Sequence, residues 1–295
     1  MPAFQLTCCS TSDLPKEYYE TRNIPVVYFR YILDGETHYD DFGQTIPLNE
    51  FYKRMEEGSS PTTSQVNMSE YITFFEPILR RGEDILHLSL TSGISGSYNS
   101  AKLAETELRG RYPERKIIVI DTLAASSGYG LLLDKAADLR DEGKSIDEVA
   151  EWVETNKLRI HHWFFTSELK YLQRGGRISA TAARFGSLLN ICPLMNVSHD
   201  GFLTPRAKIR GKKHVAAEAV ERMKALADDR LNYTGKVFLC NSAVPDEARE
   251  LASLVESTFP KMDGKVKICD IGTVIGAHTG PGTLSIFFWG DPRVD

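Results

Sequence analysis

The chain has 295 residues, 42% of them apolar and 25% charged, and a formal net charge of −5. That length suits one large or two ordinary domains, and the acidic balance argues against nucleic-acid binding by the whole surface. No stretch of 18 residues runs apolar without charge, so no transmembrane helix is expected, and MPAFQLTCCSTSDLP lacks the basic region and apolar core of a signal peptide. Five scattered cysteines (Cys8, Cys9, Cys192, Cys240, Cys269) form no C-x-x-C, which fits buried reduced thiols in a cytoplasmic protein.

In chain order, FQLTCC (4–9) reads as a strand and SDLPKEYYETR (12–22) as a short helix behind a Ser/Asp cap. IPVVYFRYIL (24–33) is β-branched and aromatic, and Asp34-Gly35 turns it into a hairpin with ETHYD. NEFYKRMEE (49–57) is a helix closed by Gly58. SEYITFFEPILRR (69–81) puts Tyr71, Ile72, Phe75, Ile78 and Leu79 on one helical face, with Pro77 expected to kink it. DILHLSL (84–90) and KIIVIDT (116–122) read as buried parallel strands flanking a helix over 97–109. Helices follow over 126–142 and 146–158, the second opened by the capping box Ser145-x-x-Glu148.

The pattern changes near residue 159. HHWFFTS (161–167) reads as a strand, LKYLQRGGRIS as a short helix with a glycine turn, and SATAARFGSLLN (179–190) as a small-residue helix. LMNVS and FLTPRAKIRG flank His199-Asp200-Gly201 as an antiparallel hairpin. Helix 213–228, strand KVFLCNS, helix 245–258, strand KVKICDI, a glycine-rich loop (272–282) and strand LSIFFWG complete the chain. The fold class is therefore α/β with two domains: residues 1–159 around a parallel, Rossmann-like sheet, and residues 160–295 as an α+β domain with a mainly antiparallel sheet, its final strand packing back near the interface.

Four polar segments interrupt this framework. SLTSGISGSYNSA (89–101) crowds hydroxyls and glycines where a strand meets a helix, so Ser95 lies where free amides and the helix dipole favour an anion; Ser95 or Ser97 could equally cap the helix. SSPTTSQVN (59–67) carries five hydroxyls in a loop stiffened by Pro61. GTVIGAHTGPGTLS (272–285) could bring His278 against a ligand, and QRGGR (173–177) sets Arg174 and Arg177 around two glycines. Hydroxyls and amides bind an anion, and Arg and His are its complementary cations.

"STSDLP" (10–15), "TSQ" (63–65), "LTSGISGSYNSA" (90–101), "VIDT" (119–122), "LKYLQRGGRIS" (169–179) and "IGAHTGPGTLSIFF" (275–288), in this order, resemble the DegV family of bacterial fatty-acid-binding proteins. The resemblance implies two α/β domains and one bound long-chain fatty acid such as palmitate, its tail buried in the second domain and its carboxylate at the interface. It puts Thr63 and Ser95 on the carboxylate and Ser64 and His278 at the border of the same site. It also implies a carrier rather than an enzyme, one that presents the acyl group to a partner fatty acid kinase for conversion to an acyl phosphate. No cofactor or metal is implied. One departure is Cys9, which stands where the family commonly has Asp.

Arg206, Lys208 and Arg210 recur at period 2, so all three are expected on one strand face, followed by Lys212 and Lys213. With Arg174 and Arg177 they are candidate contacts for phosphate or an acidic partner surface, and transient membrane contact is compatible with them. The charges carry no interleaved aromatics, which disfavours nucleic acid. The rival reading is a serine hydrolase with Ser95 as nucleophile, His278 as base and Asp270 or Asp121 as orienter, although Gly93-Ile94-Ser95-Gly96-Ser97 lacks the last glycine of G-x-S-x-G. The histidines make no H-x-x-x-H pattern, so no metal is expected.

Overall fold

A computed structural model describes residues 4–166, 168–179 and 191–294. The small-residue helix expected over 179–190 lies, apart from Ser179, outside the described residues. Strands β1 (Phe4–Cys9), β2 (Val26–Val27), β6 (Asp84–Ser89) and β7 (Ile117–Asp121) form an all-parallel sheet in the order β2-β1-β6-β7. Every residue of β1 is buried, as a strand covered on both faces requires. Helices α3 (Met68–Arg80) and α4 (Ser97–Arg111) pack together against this sheet, as do α5 (Ser126–Asp141) and α6 (Ile146–Asn156). The Ser145–Glu148 capping box opens α6, and an equivalent Asn67–Glu70 box opens α3. Helix α3 continues through Pro77 to Arg80.

The second half builds a six-stranded sheet, β10-β9-β8-β13-β11-β12, from β8 (Ile160–Phe165), β9 (Ile191–Val197), β10 (Leu203–Arg210), β11 (Phe238–Asn241), β12 (Lys267–Asp270) and β13 (Leu284–Trp289). Only β11 and β12 run parallel; the remaining pairs are antiparallel. The architecture is thus mixed α/β, with one parallel and one mainly antiparallel sheet. Helix α5 packs against β8, β11 and β13 as well as β1, so it lies between the two sheets. Buried side chains from both halves, Leu6 and Leu88 with Ile160, Phe238 and Phe287, form one continuous core. Among the described residues no helix is long and apolar enough to cross a membrane.

Four local expectations are corrected. Residues 24–33 do not make one strand: β2 joins the parallel sheet, whereas β3 (Arg30–Leu33) turns through Asp34 and Gly35, both at positive φ, to pair with β4 (Glu36–Tyr39). Thr62–Ser64 in the expected 59–67 loop is a strand, β5, which completes a small antiparallel sheet, β4-β3-β5. The glycine-rich segment holds a helix, labelled α10, over Thr273–Thr279. Helix α1 (Lys16–Thr21) starts behind Pro15 without a side-chain cap, because the Ser12 hydroxyl is paired with Tyr19 instead.

Candidate functional site

A cavity enclosing about 770 Å³ of non-atom space, its mouth included, lies where the two halves meet. One wall is the six-stranded sheet. Phe287 stands opposite His162 and Ser285 opposite Phe164 on neighbouring strands, and all four side chains line the space. Ala125 and Ser126 from the start of α5 and Val274, Ile275, His278 and Thr279 from α10 face them. Thr63, Ser64 and Gln65 come from β5 and the residue after it, and Leu90, Ile94 and Ser95 from the loop before α4. Most of the surface is apolar, and hydroxyls, an imidazole and a guanidinium are inset in it.

Thr63 and His278, 215 residues apart, meet directly: Thr63 Oγ1 lies 2.7 Å from His278 Nε2. Burial and the charges of Arg177 and Arg174 hold the His278 pKa down to about 3, so the ring is neutral at neutral pH. Among the described residues His278 Nδ1 is buried without a partner. An orphaned N–H costs more than an orphaned lone pair, which favours the tautomer with the proton on Nε2, and in that tautomer Nε2 donates to Thr63 Oγ1. The Thr63 hydroxyl proton is then free for a ligand. Ser95 arrives at the same state by another route, because its Oγ accepts from the Ser97 amide at 3.2 Å. Two hydroxyls therefore offer protons to the cavity. Ser95 is not the helix cap; the N-cap position of α4 is Gly96.

Two glycines make this approach possible. A Cβ on Gly96 would lie 3.1 Å from Gln65 Cδ and closer still to Oε1, so a side chain there would displace the Gln65 amide that lies against the loop before α4. A Cβ on Gly175 would lie 2.8 Å from His278 Cε1 and closer to Nδ1. The cation on the cavity wall is Arg177, half-buried, with Nε donating to the Ile94 carbonyl at 3.1 Å and Nη1 to the Gly175 carbonyl at 2.6 Å. Burial lowers its pKa from the usual guanidinium value.

The other basic residues lie elsewhere. Arg174 donates to Ser60 Oγ at 2.6 Å and stacks over the Tyr171 ring, in a polar cleft shared with Lys170 and Lys212. Arg206, Lys208 and Arg210 are on edge strand β10, but not as one regular face. A bulge between Pro205 and Ala207 takes Arg206 out of the ladder, half-buried and donating to Asn196 Oδ1 at 2.9 Å, while Lys208 and Arg210 are exposed.

Ser126, His162, Thr279 and Ser285 also line the cavity, and none of them stands out in the sequence as a site residue. Ser126 Oγ bonds Asp13 Oδ2 at 2.6 Å, and burial with the neighbouring Asp40 charge pushes the Asp13 carboxyl well above its usual range. The small residues of LAASSG directly after VIDT were the available signal. Cys9 is wholly buried between α3 and β6, its Sγ 3.5 Å from Tyr71 Oη and 3.6 Å from His87 Nε2, and burial raises its thiol pKa. Among the described residues no three His, Cys, Asp or Glu side chains are placed to hold a metal ion.

Fold and cavity together define a mixed α/β protein with hydrogen-bond donors set into an apolar pocket between two sheets. The sequence model of the DegV family, described as "Uncharacterised protein, DegV family", matches residues 4–291, and the chain belongs to this family. A DegV domain-containing protein of Clostridium perfringens is 37% identical over 293 residues, 99% of each chain. A fatty-acid-binding DegV family protein of Thermus thermophilus superposes with a TM-score of 0.86 at 27% identity, covering 99% of this chain and 100% of that one. A stearic acid-binding protein of Eubacterium ventriosum gives 0.85 at 26% identity, covering 97% and 98%.

Proposed function

We propose that this protein is a carrier for one long-chain fatty acid, with the tail in the apolar cavity and the carboxylate at the Thr63–Ser95 end. The observation that carries the reading is that two hydroxyls from distant segments, Thr63 paired with His278 and Ser95 with the Ser97 amide, line the same apolar space as the Arg177 guanidinium. A C16–C18 tail has around 15 methylenes at about 0.8 kcal/mol each, a gross gain on the order of 10 kcal/mol before binding entropy is charged against it. The carboxylate then needs donors rather than a full counter-charge, since hydrogen bonds to an ionised group are the stronger class. Ser64 and His278 support the head, His278 through Thr63. We take residues 1–159 and 160–295 as the two domains that close on the ligand. The fatty-acid binding described for the Thermus and Eubacterium proteins supports this assignment.

The carrier role extends to presenting the carboxylate to a partner fatty acid kinase for acyl-phosphate formation in the cytoplasm, with Arg174, Lys208 and Arg210 as contacts for the partner. The family resemblance supports this step. The hydrolase alternative is disfavoured by what its members already bind. His278 Nε2 is held by Thr63, Asp121 Oδ1 by the amides of Ser92 and Leu123, and Asp270 Oδ1 by Asn241. Mass spectrometry of an organic extract of the purified protein tests the carrier reading. A bound fatty acid is expected; protein that is ligand-free and ignores added C16 and C18 acids would overturn it. Ester turnover abolished by Ser95→Ala would favour the hydrolase.

A further inference from the structure

Behind the ligand-facing serine lies a chain of buried polar side chains that the carrier reading does not use. Thr7 Oγ1 on β1 is 3.0 Å from His87 Nδ1 on β6, and His87 Nε2 is 3.6 Å from Cys9 Sγ. Cys9 Sγ is 3.5 Å from Tyr71 Oη on α3, and Tyr71 Oη is 2.9 Å from Ser97 Oγ, the first residue of α4. The backbone amide of Ser97 is the group that donates to Ser95 Oγ. Thr7, His87, Cys9, Tyr71 and Ser97 are each 0% exposed.

None of this is suited to chemistry of its own. Burial holds the His87 pKa down to about 3 and raises that of the Cys9 thiol, so neither is charged at neutral pH and no solvent reaches them. What the chain can do is fix direction. The Tyr71 ring sits edge-on to His87 at 5.3 Å between centroids, which clamps the phenol, and the phenol oxygen then has two partners, Cys9 and Ser97. The Gln65 side-chain amide lies beside Gly96, just ahead of Ser97, on the β5 side of the loop.

We infer that Tyr71 is a positioning residue for the ligand carboxylate: by pinning Ser97 at the head of α4, it holds the amide that orients Ser95 Oγ and keeps that hydroxyl's proton aimed at the cavity. The inference rests on the carboxylate reading of Ser95. Thr63 is oriented separately, through His278 on α10, so the two donors have independent supports.

The test is a double-mutant cycle, with stearic acid affinity measured by calorimetry on the delipidated full chain. Tyr71→Phe keeps the ring and removes one hydroxyl. It should weaken stearic acid binding about three- to tenfold, the effect of one hydrogen bond. In the Ser95→Ala background the same substitution should change affinity by less than about twofold, because Tyr71 acts through a group already removed. Ser97→Ala cuts the same link from the other side, must behave alike, and carries the test if Tyr71→Phe does not fold. Wild-type affinity in the single variants, or additive losses in the Ser95→Ala background, overturns the inference. A Ser95→Ala protein that binds stearic acid like wild type removes instead the carboxylate reading on which it rests.

Discussion

The glycine at 175 gives the most direct access to the Thr63–His278 pair. Its φ of −73° suits any residue, so alanine there brings no backbone strain, only a methyl group. That methyl would stand 2.8 Å from His278 Cε1 and 3.2 Å from Cγ, with Nδ1 nearer still. Restoring van der Waals contact requires the ring, or α7 (Lys170–Arg174), to retreat by about 1 Å or more. A shift of that size carries the 2.7 Å bond from Nε2 to Thr63 Oγ1 out of hydrogen-bond range. Thr63 then loses the donor that frees its proton for a ligand. Gly175→Ala should weaken stearic acid binding by about five- to tenfold, roughly 1 kcal/mol, and lower stability by about 1–3 kcal/mol through overpacking. Gly176→Ala is the control: its φ of 73° makes alanine strained, yet a Cβ there meets nothing within 4 Å. It should lower the melting temperature and leave affinity alone. Calorimetric titration and thermal melts on both variants separate the effects. Gly175→Ala with wild-type affinity would refute the argument that His278 sets the Thr63 hydroxyl.

Thr63→Val and Ser95→Ala should each reduce fatty acid affinity by about five- to a hundredfold, the range for leaving a charged group one hydrogen bond short, as read by the lipid retained through purification. Asp13 has a native pKa raised by burial and by Asp40, so its contribution to stability is complete below the ordinary carboxyl range and is lost as pH rises through the raised value. Asp13→Asn should therefore melt above wild type at pH 8, with the difference vanishing by about pH 4; the reverse order would refute the assignment. The buried histidines have the opposite sign: His87 is held down to about 3 and His161 to about 4, so the unfolded chain takes up their protons first as pH falls below about 6.5. In the Asp13→Asn background these two rings alone should remove roughly 4 kcal/mol between pH 7 and pH 5, with His162 and His278, also lowered by burial, adding to the fall in the urea midpoint; a flat midpoint would show that the rings are not buried neutral.

What the sequence made legible was whatever carries a local signal. β1, β6 and β7 are apolar runs, the hairpin at Asp34-Gly35 has the turn residues its dihedrals demand, and the α6 capping box is readable in four letters. What it hid was structure conferred by neighbours. Thr62–Ser64 has three hydroxyls and no alternation; it is a strand because Ile32, Tyr31 and Arg30 supply the ladder. The helix Thr273–Thr279 spans Gly276 and ends at Gly280, a composition that favours a loop. It is held from outside, by Asp40 accepting from the Thr273 amide and hydroxyl and by Tyr52 donating to the Ile271 carbonyl. The direct bond between Thr63 and His278 has no local signal, since it depends on how the two halves dock; only the family resemblance set both residues at one site.

That docking also gives each donor of the site its own support within the fold. Thr63 sits on a strand hydrogen-bonded to β3, His278 on a helix whose start is tied to Asp40, and Ser95 in a loop fixed by Ser97 and backed by Gln65. Each donor is held by a different element, and each has its proton directed by a neighbour rather than by the ligand. A carboxylate entering such a site loses its own freedom but orders little of the protein, so more of the tail's burial energy survives as affinity. An apolar tunnel alone would hold any greasy chain of suitable length. The oriented donors make the head matter, and they predict that stearic acid outcompetes stearyl alcohol, whose hydroxyl brings no charge for Arg177 and the two protons to meet.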